Sequence, residues 1–188
     1  MAVPLLVTFA AGATGAWRIA AMDCIGGDSL PMAGRLAVIE GRDTPPPAHS
    51  DWVLRGITSN TRYTNRTELN ALAAVQQGLS RAEATRAALI PIRKTEAWWN
   101  LAQDERRAII EEQSRHIAIG LEYLPAVARR LHHSRELAEP FDFLTWFEYA
   151  PEHEADFDAL LRRLRQSEEW RYVDREVDIR LIREAPAA

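Results

Sequence analysis

The residues best suited to chemistry gather in one segment, "RHIAIGLEYLPAVARRLHHSR", Arg115 to Arg135. His116 sits there among Ile117, Ile119, Leu121 and Leu124. A lone histidine on an apolar helix is usually a hydrogen-bonded core residue, so a functional role for it needs support from elsewhere. Arg129 and Arg130 follow in "RRLHHSR". On a surface this run is a solvated charge cluster, whereas an arginine facing an apolar cavity keeps its charge and becomes a fixed anion-binding or oxyanion-stabilising group. A third candidate is "IPIRKTEAWW", Ile90 to Trp99, where Lys94 and Trp98 stand at i, i+4. One helical turn would put their ammonium and indole N–H on one face, able to hold carboxylates; a lysine stem covering a tryptophan fits equally well. Tyr63, in "SNTRYT", adds either a phenol donor or ordinary strand packing.

Other chemistries are poorly served. The remaining histidines, His49, His132, His133 and His153, show no HExxH-type spacing, and His132 and His133 would point to opposite faces of a strand. There is no GxGxxG, Walker loop or GxSxG elbow; "GATG" at Gly12 to Gly15 is too short to argue from, and Ser134 has no recognisable triad. The single cysteine, Cys24, excludes an intrachain disulfide framework and a multi-cysteine metal site.

These residues need elements to position them. Period-two or β-branched and aromatic stretches predict strands at Leu5–Ala10, Trp17–Ala21, Leu36–Glu40, Trp52–Thr58, Phe141–Tyr149 and Tyr172–Ile182. In "EVDIRLIR", Val177, Ile179, Leu181 and Arg183 would share one face and Asp178, Arg180 and Ile182 the other. Helices are expected over Glu68–Gly78, Arg81–Leu89, Gln103–Leu121 and His153–Glu169. The last carries a stripe of Phe157, Leu160, Leu161 and Leu164 opposite Arg162, Arg163 and Arg165. "RRLHHSRELAEPFDFLTWF" reads as two strands flanking a turn around Ser134 to Pro140, which places Arg129 on a strand and His116 on the preceding helix, with Pro125 marking the break. In one unbroken helix residues 116 and 129 would stand ~20 Å apart. A helix ending near Tyr123 and returning as a strand can instead bring both to one cavity. The pattern is α+β: antiparallel sheets that can join or close, with helices outside.

At 188 residues the chain can bury a substantial core, and its net charge of -4 offers no global field for nucleic acid or a membrane surface. Any anion selectivity must be local. The opening "MAVPLLVTFAAGATGAW" lacks a positive n-region and runs into alternating sequence, so a first strand is expected in preference to a signal peptide. No apolar run reaches the ~20 residues of a membrane helix. "TPPPAHS" at Thr44 to Ser50 is a proline-rich surface loop, not a domain boundary.

Taken together, "ATRAALIPIRKTEAWW", "QDERRAIIEEQSRHIAIGLEYLPAVARRLHHSRELAEPFDFLTWFEYAPEHE" and "EEWRYVDREVDIRLIR" closely resemble the short, dimeric lineage of the chlorite dismutase family, over about Trp52 to Arg183. The resemblance implies a single domain of ferredoxin-like antiparallel β-barrel type with outer helices. Its N-terminal half, about 1–100, would be reduced, and its C-terminal half, about 101–188, would bind haem. It implies a homodimer with haem b (iron) that converts chlorite to chloride and dioxygen through a ferryl/hypochlorite intermediate, without a nucleic-acid or membrane partner. A cytoplasmic location is expected, or a periplasmic one if the N-terminus is processed.

Residue by residue, His116 matches the proximal iron ligand, and Glu169, in "SEEWRYV", matches the carboxylate that accepts its other N–H, with Glu168 the adjacent alternative. Arg129 matches the distal arginine, with Arg130 beside it, and Gln76, in "AVQQGL", a distal glutamine that hydrogen-bonds the arginine. Lys94, Trp98 and Tyr63 match residues around the propionates, and Ile92 lines the pocket near them. On this reading His116 and Arg129 face opposite sides of a flat cofactor. The rival expectations are a coproporphyrin-haem decarboxylase of the same superfamily and a non-catalytic haem-binding or sensing module.

Overall fold

The computed structural model of the chain describes residues 4–59, 64–75 and 78–184. Among them, strands β1 (Leu6–Gly12), β2 (Trp17–Gly26), β3 (Arg35–Glu40), β4 (Ser50–Thr58), β5 (Arg86–Lys94), β6 (Val127–His133), β7 (Phe143–Tyr149) and β8 (Val173–Arg183) close into a barrel in the order β1-β3-β2-β8-β5-β7-β6-β4. Every ladder is antiparallel. The circle divides into two sheets of the same internal order. In β4-β1-β3-β2 and again in β8-β5-β7-β6, the fourth strand lies beside the first, then come the third and the second. The second group has helices in both crossovers, a βαββαβ unit of ferredoxin-like form. One seam is long, pairing β2 with β8 from Trp17↔Arg183 to Gly26↔Glu176; the other, β4 with β6, rests on Ile57↔His133 and Thr58↔His132.

Helices α1 (Arg66–Val75), α2 (Glu96–Asn100), α3 (Gln103–Arg107), α4 (His116–Glu122) and α5 (Glu154–Arg165) complete the α+β fold. The barrel is filled by one apolar cluster that includes Phe9, Trp17, Leu36, Leu54, Leu89, Leu144, Trp146, Val177, Ile179 and Leu181. A second cluster lies outside it, where Ile90, Ile92, Phe143 and Phe147 meet Phe157, Leu160, Leu161 and Leu164 of α5. The α5 stripe is thus buried as its periodicity predicts. Arg165, expected on the solvent side, instead turns inward and donates to Glu176 at 2.6 and 2.8 Å and to Asp178 at 2.9 Å, pinning α5 to β8. No helix among the described residues is long and apolar enough to cross a membrane.

Two expected helices are corrected. Arg81–Leu89 does not form a helix; β5 begins at Arg86. Ala87 and Leu89 face the barrel core while Ala88, Ile90 and Ile92 face the outer cluster. A strand buried on both faces shows a continuous apolar run with no alternation to read, and its alanines mimic helix propensity. Gln103–Leu121 is not one helix either. α3 passes into a π-helical segment, Ala108–Gln113, and Arg115 then adopts a left-handed conformation with φ 54° and ψ 33° before α4 begins at His116. The chain therefore changes direction immediately before the histidine.

Candidate functional site

A cavity with an empty volume of about 1050 Å³, its mouth included, opens between the outer face of the β5-β7-β6 sheet and the segments around α4 and Glu169. Strand parity selects the sheet-side lining. Ile90, Ile92 and Lys94 of β5, Phe143, Thr145 and Phe147 of β7, and Arg129 and Leu131 of β6 occupy alternate positions and reach the same space. Intervening residues such as Leu144 and Trp146 face the barrel interior. His132, for example, packs edge-on to Phe9 with ring centroids 5.2 Å apart. Parity also separates the two arginines. Arg129 lines the cavity, whereas Arg130 donates to His132 Nε2 at 3.0 Å and to Glu40 at 2.6 Å.

On the helical side His116 lines the cavity, and its Nδ1 lies 2.6 Å from Glu169 Oε2. Glu169 is buried in a short 3₁₀ turn, Glu168–Tyr172, and its own N–H donates to Ser114 Oγ at 2.8 Å. Its other carboxylate oxygen accepts from Lys94 Nζ at 2.9 Å, and both side chains of that ion pair are buried. Burial by itself would raise the Glu169 pKa, but the charges and hydrogen bonds of Lys94 and His116 outweigh it and hold the carboxyl well below the usual range. A permanent carboxylate fixes the imidazole as the Nδ1–H tautomer, which leaves the Nε2 lone pair as the one able to bind a metal. Glu168 turns outward to Arg171 at 3.2 Å.

Lys94 ends β5 and Trp98 lies in α2, with Thr95 capping the helix between them. The ammonium sits 4.5 Å from the Trp98 ring centroid, a cation–π contact and not a side-by-side pair. Trp98 lines the cavity, and its buried Nε1–H has no acceptor among the described residues. Tyr63 and Gln76 lie outside the described residues. Sequence reasoning missed Ser114, which carried no signal of its link to Glu169, and Trp170, which lines the cavity while its Nε1 donates to Glu176 at 2.8 Å.

The donor set fits a flat cofactor that carries its own metal. Among the described residues no group of three His, Cys, Asp or Glu side chains could hold an ion, so a metal on His116 must bring most of its coordination with it, as in a porphyrin. The unused Trp98 donor and the apolar walls suit the acid groups and the face of such a ring.

A model of the chlorite dismutase family matches residues 46–184. The chain belongs to the chlorite dismutase family. Among solved structures, a dimeric chlorite dismutase from Nitrobacter winogradskyi is similar over 95% of this chain and 99% of its own, at 55% identity and a TM-score of 0.88. A curated chlorite dismutase from Ideonella dechloratans is 31% identical over 122 residues, 62% of this chain. That match spans only 41% of the longer relative. The chlorite dismutase from Candidatus Nitrospira defluvii in complex with imidazole, at 22% identity and a TM-score of 0.67 over 94% of this chain and 90% of its own, shares the fold. Chlorite dismutase family membership thus agrees with the α+β barrel derived above.

Proposed function

We propose that the protein is a haem b enzyme that converts chlorite to chloride and dioxygen. The observation that carries this reading is the presence, on the walls of one apolar cavity, of His116 tied through Nδ1 to a buried carboxylate and of the arginine Arg129. Haem, when bound, supplies an iron that can take up an oxygen atom and release it again. The chain supplies the rest. Glu169 holds the His116 proton at Nδ1, which directs Nε2 to the iron and enriches the ligand in electron density. Arg129 cannot lose its charge at neutral pH, so it gives a chain of net charge -4 a local site that draws in chlorite and retains hypochlorite.

With haem bound, Trp98 would offer its indole N–H to a propionate and Ile92 would help form the apolar wall beside it. Lys94 neutralises the Glu169 charge that the ligand pair requires. The roles that the family resemblance gives Tyr63, at the propionates, and Gln76, as a partner of Arg129, belong to the same proposal. Phe143, Phe147 and Leu131 exclude water, which strengthens the field of the arginine. The similarity to a dimeric enzyme supports a homodimer of single-domain subunits, each with its cofactor in the C-terminal half.

Chlorite added to haem-loaded protein in an oxygen electrode is the direct test. Rapid dioxygen release, with the haem absorbance followed in parallel, is expected. A loaded haem that evolves none would remove the dismutase activity, and a protein that takes up no haem would remove the cofactor assignment.

A further inference from the structure

Ser114 and His116 flank Arg115 on one short segment, and each holds a different part of Glu169. His116 Nδ1 meets the carboxylate at 2.6 Å, and Ser114 Oγ accepts the Glu169 backbone N–H at 2.8 Å. Arg115 takes the left-handed conformation between them, and the π-helical segment before it closes with a bond from the Ser114 N–H to Ile109 O at 3.1 Å. That bond spans one residue more than an α-helical one, so Ser114 is rotated away from the place an unbroken helix would give it. The N–H it accepts lies in the first turn of the 3₁₀ segment, where the segment itself supplies no acceptor. Ser167, at the cap position, does not fill that role, because its hydroxyl donates to Leu164 O at 2.6 Å. A serine 55 positions away fills it instead. Ser114 is buried and is not among the residues lining the cavity. Both bonds therefore belong to the His116 wall and neither spans the space a cofactor would fill.

We propose that Ser114 is a positioning residue for the His116–Glu169 pair: by holding the Glu169 backbone it fixes the carboxylate against Nδ1 and sets how much electron density the imidazole offers through Nε2. The proposal rests on His116 as the iron ligand and deepens that reading. Without the hydroxyl the Glu169 N–H is buried and unpaired, and the turn must shift to satisfy it, carrying the carboxylate along.

The test compares Ser114→Ala with Ser114→Thr, which keeps the hydroxyl, in two measurements. Proton NMR of the His116 Nδ1–H in the haem-free chain reads the hydrogen bond itself. Ser114→Ala should move this signal upfield, and Ser114→Thr should leave it near the wild-type position. In the ferrous haem-loaded protein, the iron–histidine stretching band of the resonance Raman spectrum reads the electron density delivered to the metal. It should fall in frequency in Ser114→Ala, by less than in Glu169→Gln, and recover in Ser114→Thr. Haem affinity should fall with it, by up to about tenfold. A serine that only stabilises the turn would lower Tm in the alanine variant and leave both signals in place, which would overturn the proposal. Shifts of equal size in the alanine and threonine variants would overturn it too. Should Ser114→Ala not fold, Ser114→Cys, of nearly the same shape with a weaker acceptor, takes its place in both measurements; loss of folding there as well, with Ser114→Thr folded, would assign the serine to stability and overturn the proposal. Failure of the haem reading looks different: no variant develops a haem band, and the Nδ1–H shifts alone decide.

Discussion

Glu169 concentrates the physics of the site in one side chain, because a single buried carboxylate serves both Lys94 and His116. Its replacement by glutamine leaves the Lys94 ammonium buried without a counter-charge, which costs ~3–5 kcal/mol of stability. Urea denaturation of Glu169→Gln should show that loss, and Glu169→Gln with Lys94→Met should lose less than the two single changes added together. Haem affinity of Glu169→Gln, measured by spectroscopic titration, should fall roughly 10–100-fold with loss of the imidazole's partner. The role proposed for Arg129 falls at a different moment. Arg129→Ala should bleach its haem faster during chlorite turnover, because nothing retains hypochlorite; unchanged bleaching with full activity would count against that role. The choice between Glu168 and Glu169 was open in the sequence because both are acidic and adjacent. A tight 3₁₀ turn, anchored by Ser114, decides which one points inward.

At the scale of elements, α5 was the most legible and the segment leading to His116 the least. The stripe of Phe157, Leu160, Leu161 and Leu164 follows the 3.6-residue period, and all four side chains are buried. Leu160→Ala should therefore cost ~2–5 kcal/mol, read as a shift in the urea midpoint with the slope unchanged. Arg115 shows the opposite case. Its left-handed backbone breaks the expected Gln103–Leu121 helix, yet arginine carries no sequence mark of that conformation, which glycine or asparagine would have supplied. The break is bridged by one local bond, in which Glu111 accepts the Ile117 N–H at 3.0 Å, and held by a distant one, in which Ser114 Oγ accepts from the Glu169 N–H. β5 escaped the periodic reading for the reason that makes it central, since both of its faces are buried.

At the scale of the molecule, acid should undo the fold in two overlapping stages. His132, buried between sheet and barrel core, donates through Nδ1 to Leu144 O at 2.8 Å and accepts at Nε2 from Arg130. Burial, and then the nearby Arg130 charge, lower its pKa from 6.5 to about 4. The unfolded chain binds this proton first, so stability is full above pH 6.5 and falls as pH drops towards 4, by roughly 3 kcal/mol. Glu169, whose folded pKa is lowered, adds a further loss as pH falls below the ordinary carboxylate value of 4.5. Denaturant midpoints of wild type and His132→Asn measured across pH 4 to 7 should show a slope in the first and a flatter line in the second.

The sequence by itself determined the class of the molecule: strand-rich α+β, with its chemistry gathered around Arg115 to Arg135 and its last helix and strand fixed by periodicity. Those features are local, set by spacing along one element. Barrel closure, the inward turn of Glu169, and the parity that sends Arg129 to the cavity and Arg130 to Glu40 were decided only in three dimensions. Each depends on what a distant segment places opposite the residue, and no local pattern contains that partner.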